Sequence, residues 1–233
     1  MTRPSCLVAV VGTQTDVGKT WVAGTLLRHW RAHGMRVAAR KPVQSYDLSG
    51  GPTDAEQLAV ASGEHPHTIC PPHRWYPRAM APPMAADALG RPRIELSELI
   101  NEIGWPESAD IGIVETAGGV RSPLAHDGDS IDLVQQLRPD RVLLIADAGL
   151  GTLNAVRLTL RCLEALPTDV FLNRFNPADP VHRSNLEWLT EHDGVAAFTT
   201  IESVAMPISV LPMSPAAIAQ IIADQFDAQG ADR

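Results

Sequence analysis

The sequence has few aromatic residues and few cysteines. Phe, Trp and Tyr make up 5% of its 233 residues, and its thiols are Cys6, Cys70 and Cys162. An odd number of widely spaced cysteines, none in a C-x-x-C pair, excludes a disulfide scaffold and the usual zinc and redox motifs. Buried or inert thiols are expected. No run of about 18 apolar residues is present, so nothing reads as a membrane span. The opening Met1-Thr2-Arg3-Pro4-Ser5 runs straight into a β-like stretch rather than a signal peptide, and a cytoplasmic location is expected. Basic charge is not in excess either: 19 Lys and Arg against 27 Asp and Glu leave a net charge of −8. Such a field repels a phosphate backbone, so neither nucleic acid nor a membrane is expected as a partner. The eight histidines include His65-Pro66-His67, but none has a metal-type spacing beside a carboxylate, and this stretch reads as a solvated loop.

What is present describes a globular chain. Hydrophobic residues at 45% and charged residues at 20% lie near the globular average, and 233 residues suffice for one sizeable core. One domain over residues 1–233 is expected, with about 229–233 a frayed tail. Leu7-Val8-Ala9-Val10-Val11 is a continuous apolar run ending in glycine, as a strand buried on both faces requires. A helical pattern follows from Lys19 to about His33, closed by Gly34, and Met35 to Ala39 reads as the next strand. The same alternation returns at Ile111 to Val114, Val142 to Ala146 and Val170 to Leu172. Tyr46 to Pro92 is broken by Gly and Pro and reads as long loops with short helices. The expected fold is a single α/β domain of the P-loop type: a doubly wound, mainly parallel sheet with helices on both faces.

Between the first strand and first helix lies Gly12-Thr13-Gln14-Thr15-Asp16-Val17-Gly18-Lys19-Thr20. Gly12 and Gly18 permit a sharp backbone path, and the loop amides with the helix N-terminus make a positive nest for phosphate oxygens. Lys19, expected to stand exposed to phosphate, would reach the β- and γ-phosphates, and the Thr20 hydroxyl would bind Mg²⁺. The Gly-x5-Gly-Lys-Thr spacing is one residue longer than the common form. No second lysine stands near its start, unlike the loop of partition-type ATPases.

All seven fixed positions of the form Gly-Thr-x-Thr-x-Val-Gly-Lys-Thr are present, and four further blocks follow in order: Lys41-Pro42-Val43-Gln44-Ser45, Thr53-Asp54-Ala55, Glu115-Thr116-Ala117-Gly118-Gly119 and Gly151-Thr152-Leu153-Asn154, with Asn173-Arg174 after a late strand. In these blocks, to about Pro177, the chain resembles the dethiobiotin synthetase family. The resemblance implies a reaction in which ATP drives ring closure of 7,8-diaminononanoate with CO2. One amine forms a carbamate, the carbamate oxygen takes the γ-phosphate, and the second amine displaces phosphate to close the cyclic urea. It also implies a homodimer with the diamine near the subunit interface, and ATP and Mg²⁺ as cofactors.

Carried over by matching position, Lys41 and Lys19 are the catalytic cations, since a carbamate attacking a phosphate brings two anions together. Thr20, Asp54 and Glu115 are the metal set, because Mg²⁺ takes a few carboxylates along with phosphates and waters. Thr53-Asp54-Ala55-Glu56 also suits a helix start, two roles that can coexist. Thr15, Asp16, Val17, Gly18 and Trp21 extend the nucleotide site, with Thr116, Ala117 and Gly118 near the γ-phosphate and Asn173 and Arg174 at the base. Ser45, Gly119, Leu150, Gly151, Thr152 and Asn154 are the expected diamine contacts, the segment from Leu150 reaching across the interface. Three positions depart from the family pattern: Tyr46 and Thr116 stand for glycines and Ala155 for a histidine. None removes a phosphate or metal group. Two other readings share the P-loop fold: a cobyrinate-type amidase, which needs a glutaminase domain this chain has no room for, and a partition-type ATPase switch.

Overall fold

The structure, a computed structural model, describes residues 3–211; the expected frayed tail lies outside the described residues. Its strands are β1 (Cys6–Gly12), β2 (Val37–Arg40), the two-residue β3 (Gln44–Ser45) and β4 (Trp75–Tyr76), β5 (Ile111–Glu115), β6 (Arg141–Asp147), β7 (Thr168–Asn173) and β8 (Ala197–Phe198). Six of them form one sheet in the order β2-β5-β1-β6-β7-β8, and every pairing in it is parallel. β3 and β4 pair separately, also in parallel.

The helices are α1 (Lys19–Ala32), α2 (Asp54–Ser62), α3 (Pro66–Ile69), α4 (Pro82–Ala88), α5 (Leu96–Asn101), α6 (Ser130–Leu137), α7 (Thr152–Cys162), α8 (Pro180–Glu187) and α9 (Ile201–Ser209). They cover both faces. Successive strand side chains point to opposite sides, so Cys6, Val8 and Val10 of β1 pack with Leu27 and Trp30 of α1 and Val204 of α9. Ala9 and Val11 pack on the other side with Val134 of α6 and Val156 of α7. Trp30 is fully buried and donates its indole N–H to the Ala205 carbonyl at 3.2 Å, tying α1 to α9.

The second strand starts at Val37 rather than Met35. Gly34, at φ 78°, turns the chain after α1, and the Met35 amide closes that turn on the Trp30 carbonyl. The His65 to His67 stretch is a one-turn helix instead of a plain loop: the His65 ring accepts the His67 amide and Pro66 occupies the first helical position. Cys6 and Cys70 are buried, and burial pushes both thiols up to about 12, which leaves them unreactive.

The register brings the functional strand ends to one edge. Val10 pairs with Glu115, Gly12 with Ile145 and Asp147 with Asn173, so the ends of β5, β1, β6 and β7 open together. Strand order reverses at β1, whose neighbours β5 and β6 lead to opposite sides. Open α/β sheets bind ligands in the crevice this creates.

Candidate active site

The loop from β1 enters α1 through Gly18, at φ 92°. Any side chain there would also run into the Asn173 amide, so glycine is required for both conformation and space. Two consecutive residues at the end of β7 fix the loop. Asn173 donates from Nδ2 to the Val17 carbonyl at 2.8 Å, and Arg174 donates to the Asp16 carbonyl at 2.9 Å while pairing with Asp147 at 3.1 Å. On the other side Gly119 lies against the loop backbone, since a Cβ on it would sit 3.1 Å from the Thr13 oxygen. Carbonyls held outward in this way leave loop amides free for an anion.

Below the loop, four side chains meet. Thr20 Oγ1 lies 2.9 Å from Asp54 Oδ1 and 2.8 Å from Glu115 Oε1. Lys41 Nζ lies 2.7 Å from Asp54 Oδ2, 2.7 Å from Glu115 Oε1 and 3.1 Å from the Thr116 carbonyl. Each member arrives by a distinct local device. Thr20 is in the first turn of α1, Glu115 ends β5 and Lys41 follows β2. Asp54 opens α2, whose cap is Thr53: its hydroxyl accepts the Glu56 amide and the Glu56 carboxylate accepts the Thr53 amide. Because Thr53 does the capping, the Asp54 carboxylate is left for the cluster. Gln44, which the sequence reading did not single out, receives the Ala55 amide at 3.0 Å and anchors the same helix start.

The electrostatics follow from burial. Glu115 is fully enclosed, and burial pushes its carboxyl upward against the pull of Lys41. Burial would raise Asp54 as well, but Lys41 and Thr20 outweigh it and hold the carboxyl below its usual range. For Lys41 burial alone would lower the ammonium, yet Asp54 and Glu115 prevail and keep it protonated. Lys19 was expected exposed. It is instead 7% exposed, makes one hydrogen bond, to the Gln14 carbonyl at 3.2 Å, and is pushed down to about 8 by burial and by Lys41.

The donor set fits a hard divalent cation. A threonine hydroxyl has one proton, so it cannot satisfy two carboxylates at once, and Glu115 Oε2 is buried with no hydrogen-bond partner among the described residues. An oxygen-seeking ion answers both features. Among the described residues no group of three or more His, Cys, Asp and Glu could hold a metal. Thr20, Asp54 and Glu115 would therefore need phosphate oxygens and waters to complete a shell.

A cleft of about 630 Å³ runs beside the loop, lined by Gly18, Trp21, Asn173 and Arg174. It also uses Phe171, Phe175 and Thr199 to Ile201, residues the sequence reading missed. Phe171 inside β7 and Phe175 two residues past its end were the available signal; Thr199 to Ile201 arrive from far along the chain with none. Another cleft, about 640 Å³, lies along the outer side of α2 against Pro52, Val60 and Pro66 and contains none of the expected site residues.

The remaining expected contacts are placed as follows. Thr15 is exposed near Gly118, and Ala117 takes the Ser130 hydroxyl on its carbonyl. Thr116 is fully buried and packs back on β1, its amide bonded to the Val10 carbonyl, so the side chain that replaces glycine points away from the loop. Ser45 donates to the Met80 carbonyl at 2.5 Å, and Tyr46 sets its ring edge on Trp75. Thr152 is buried and donates to the Asp147 carbonyl at 2.5 Å, which fixes the turn through Gly151 into α7, where Asn154 is exposed. Leu150 is 91% exposed, and Ala155 is half-buried on α7.

Comparison with known proteins places this arrangement. A family model described as an AAA domain matches residues 7–216. The chain is 36% identical over 216 residues to the ATP-dependent dethiobiotin synthetase BioD of Anaeromyxobacter dehalogenans strain 2CP-C, covering 88% of this chain and 89% of that protein. It is 36% identical over 197 residues to the protein of the same name from Haloferax mediterranei, covering 82% of each. Among solved structures it resembles a putative plasmid partition protein of Borrelia burgdorferi B31 bound to AMPPNP (TM-score 0.53, 12% identity, 85% and 86% covered). An ADP-bound nucleotide-binding protein from Archaeoglobus fulgidus is comparable (TM-score 0.52, 14% identity, 89% and 86% covered). At such identities these two structures show the shared fold alone.

Proposed function

Since the chain belongs to the AAA domain family and, within it, to the ATP-dependent dethiobiotin synthetases, we propose that it closes 7,8-diaminononanoate and CO2 into dethiobiotin at the expense of ATP, forming carbon–nitrogen bonds in biotin biosynthesis. The observation that carries the site assignment is the convergence of Thr20, Asp54, Glu115 and Lys41 within 2.9 Å beneath a phosphate-binding loop.

The loop amides and Lys19 take the β- and γ-phosphates. Burial and Lys41 lower the Lys19 pKa to about 8, and an arriving phosphate anion would favour its charged form. The base enters the cleft between Trp21, Phe171 and Phe175, where Asn173 Oδ1 is left as an acceptor because its Nδ2 is committed to the loop. Thr20, Asp54 and Glu115 would hold Mg²⁺, which would supply charge neutralisation at the phosphate oxygens. In the reaction the carbamate oxygen forms a bond to the γ-phosphorus as the bond to ADP breaks. The second amine then attacks the carbamate carbon and inorganic phosphate leaves. Lys41 and Lys19 offset the negative charge that these steps bring together. Ser45 and Gly119 border the diamine, with Leu150 to Asn154 of a second copy across a homodimer interface. The protein works as a single domain without nucleic acid or membrane partners, consistent with a cytoplasmic enzyme.

The departures at Tyr46, Thr116 and Ala155 leave the phosphate and cation groups intact. The amidase and partition readings gain no support, since likeness to a partition protein extends to the fold only. Incubation with only 7,8-diaminononanoate, bicarbonate, ATP and Mg²⁺ is expected to yield dethiobiotin, ADP and phosphate. ATP hydrolysis without that product would overturn the assignment.

A further inference from the structure

Lys41 has a feature its catalytic role does not explain. Its ammonium donates to Glu115 Oε1 and the Thr116 carbonyl and is ion-paired with Asp54 Oδ2 at 2.7 Å, so all three of its close oxygen neighbours belong to the protein. It is 1% exposed. An enclosed lysine held among three protein oxygens is not directed at a substrate anion. Two of its three partners are the same carboxylates that, with Thr20, make the candidate Mg²⁺ set. One short-range cation thus already bridges the groups a second cation needs.

We propose that Lys41 is a resident counter-ion for the metal site: it holds Asp54 and Glu115 together before Mg²⁺ arrives, and is displaced from them by the metal, which frees two of its N–H groups for the reacting anion. This rests on the Mg²⁺ reading above. Charge counting supports the exchange. Asp54 and Glu115 are balanced by Lys41 and Lys19, so the cluster is close to neutral without ligands. Mg²⁺ alone would leave an enclosed excess of positive charge, whereas Mg²⁺ arriving with nucleotide phosphates restores the balance. The orphaned Glu115 Oε2 and the Thr20 hydroxyl shared between two carboxylates show that the lysine bridge leaves coordinating capacity unused. The consequence is ordering. Lys41 turns toward substrate only once metal and nucleotide are in place, so no free carbamate is engaged without ATP.

The exchange predicts opposite metal affinities from those of a simple support. A lysine that merely props the carboxylates would, when removed, weaken Mg²⁺ binding or leave it unchanged. A competing counter-ion would, when removed, tighten it. The measurement is Mg²⁺ binding to the nucleotide-free protein, followed by calorimetry and by the rise in melting temperature with Mg²⁺. Lys41→Met is expected to bind Mg²⁺ at least about tenfold more tightly than wild type, and Lys41→Arg, which keeps the charge, to stay near wild type. Equal or weaker binding in Lys41→Met overturns the proposal. If Lys41→Met does not fold without metal, folding restored by MgCl2 but not by KCl of equal ionic strength supports it, and no recovery in either salt overturns it. Dethiobiotin formation by wild type from the same preparation tests the function separately, so a failed exchange and a failed assignment give different results.

Discussion

Lys19 and Lys41 carry the same charge in contrasting surroundings, and their mutants should fail differently. Lys19 makes one hydrogen bond and is depressed to about 8, so its ammonium is under-satisfied until phosphate comes. Lys19→Ala should reduce turnover more than about tenfold, roughly 1.4 kcal/mol of transition-state stabilisation, and, because the Lys19 stem is buried, should also lower the melting temperature somewhat while the protein still folds. Wild-type turnover in that variant would remove the phosphate-loop assignment. Lys41→Gln keeps the stem and a donor but loses the charge. Product formation should drop at least about tenfold with ATP affinity retained, since the loop amides and Lys19 still reach the phosphates. Parallel nucleotide titration and product assay would check this, and unaltered product formation would refute it. Asp54→Asn and Glu115→Gln each remove a charge from the cation set, so each should raise the Mg²⁺ concentration needed for half-maximal activity, with partial recovery at high Mg²⁺. An identical magnesium titration in both would exclude this set.

At the scale of elements, the cluster depends on how helices begin. Asp54 faces Thr20 and Lys41 because Thr53 and Glu56 close the first turn of α2 and Gln44 holds the Ala55 amide. Thr53→Ala should cost about 0.5–2 kcal/mol in urea unfolding and also raise the Mg²⁺ requirement, although Thr53 is not in the metal set; Thr53→Ser should restore both. A stability loss with no change in the magnesium titration would show that the cap does not position Asp54. The same elements explain what was legible beforehand. Apolar runs located β1, β5, β6 and β7, and polar residues just past each run, such as Lys41, Glu115 and Asn173, read as site residues because parallel strands end at the crevice. Thr53-Asp54-Ala55-Glu56 announced a helix start. The identity of the cap and the burial of Lys19 did not show, because they depend on which atoms meet across the fold. Nor did the cleft residues Thr199 to Ile201, brought in by β8, whose two residues carry no periodic signal. The Lys41 bridge joins elements 74 residues apart, a separation at which no local pattern survives.

At the scale of the whole molecule, each chain carries −8, so two copies of the proposed homodimer would repel and their association would have to come from apolar burial. Leu150, 91% exposed beside the left-handed Gly151 that opens α7, with Leu158 at 62% on the same helix, supplies apolar surface where the family resemblance puts the second subunit. Leu150→Asp adds a charge to that surface without opening a cavity. Sedimentation should therefore shift from dimer to monomer, and nucleotide affinity should stay within a few-fold of wild type, because the phosphate loop and base cleft lie within one chain. The KM for the diamine should rise, because the proposed interface half of its site would be gone. Salt gives an independent reading: above about 0.15 M, screening with a Debye length near 8 Å weakens like-charge repulsion, so the wild-type dimer should persist to lower protein concentration as ionic strength rises. A Leu150→Asp protein that remains dimeric with an unchanged diamine KM would move the interface to another surface, and a wild type that is monomeric at all concentrations would confine the diamine site to one chain.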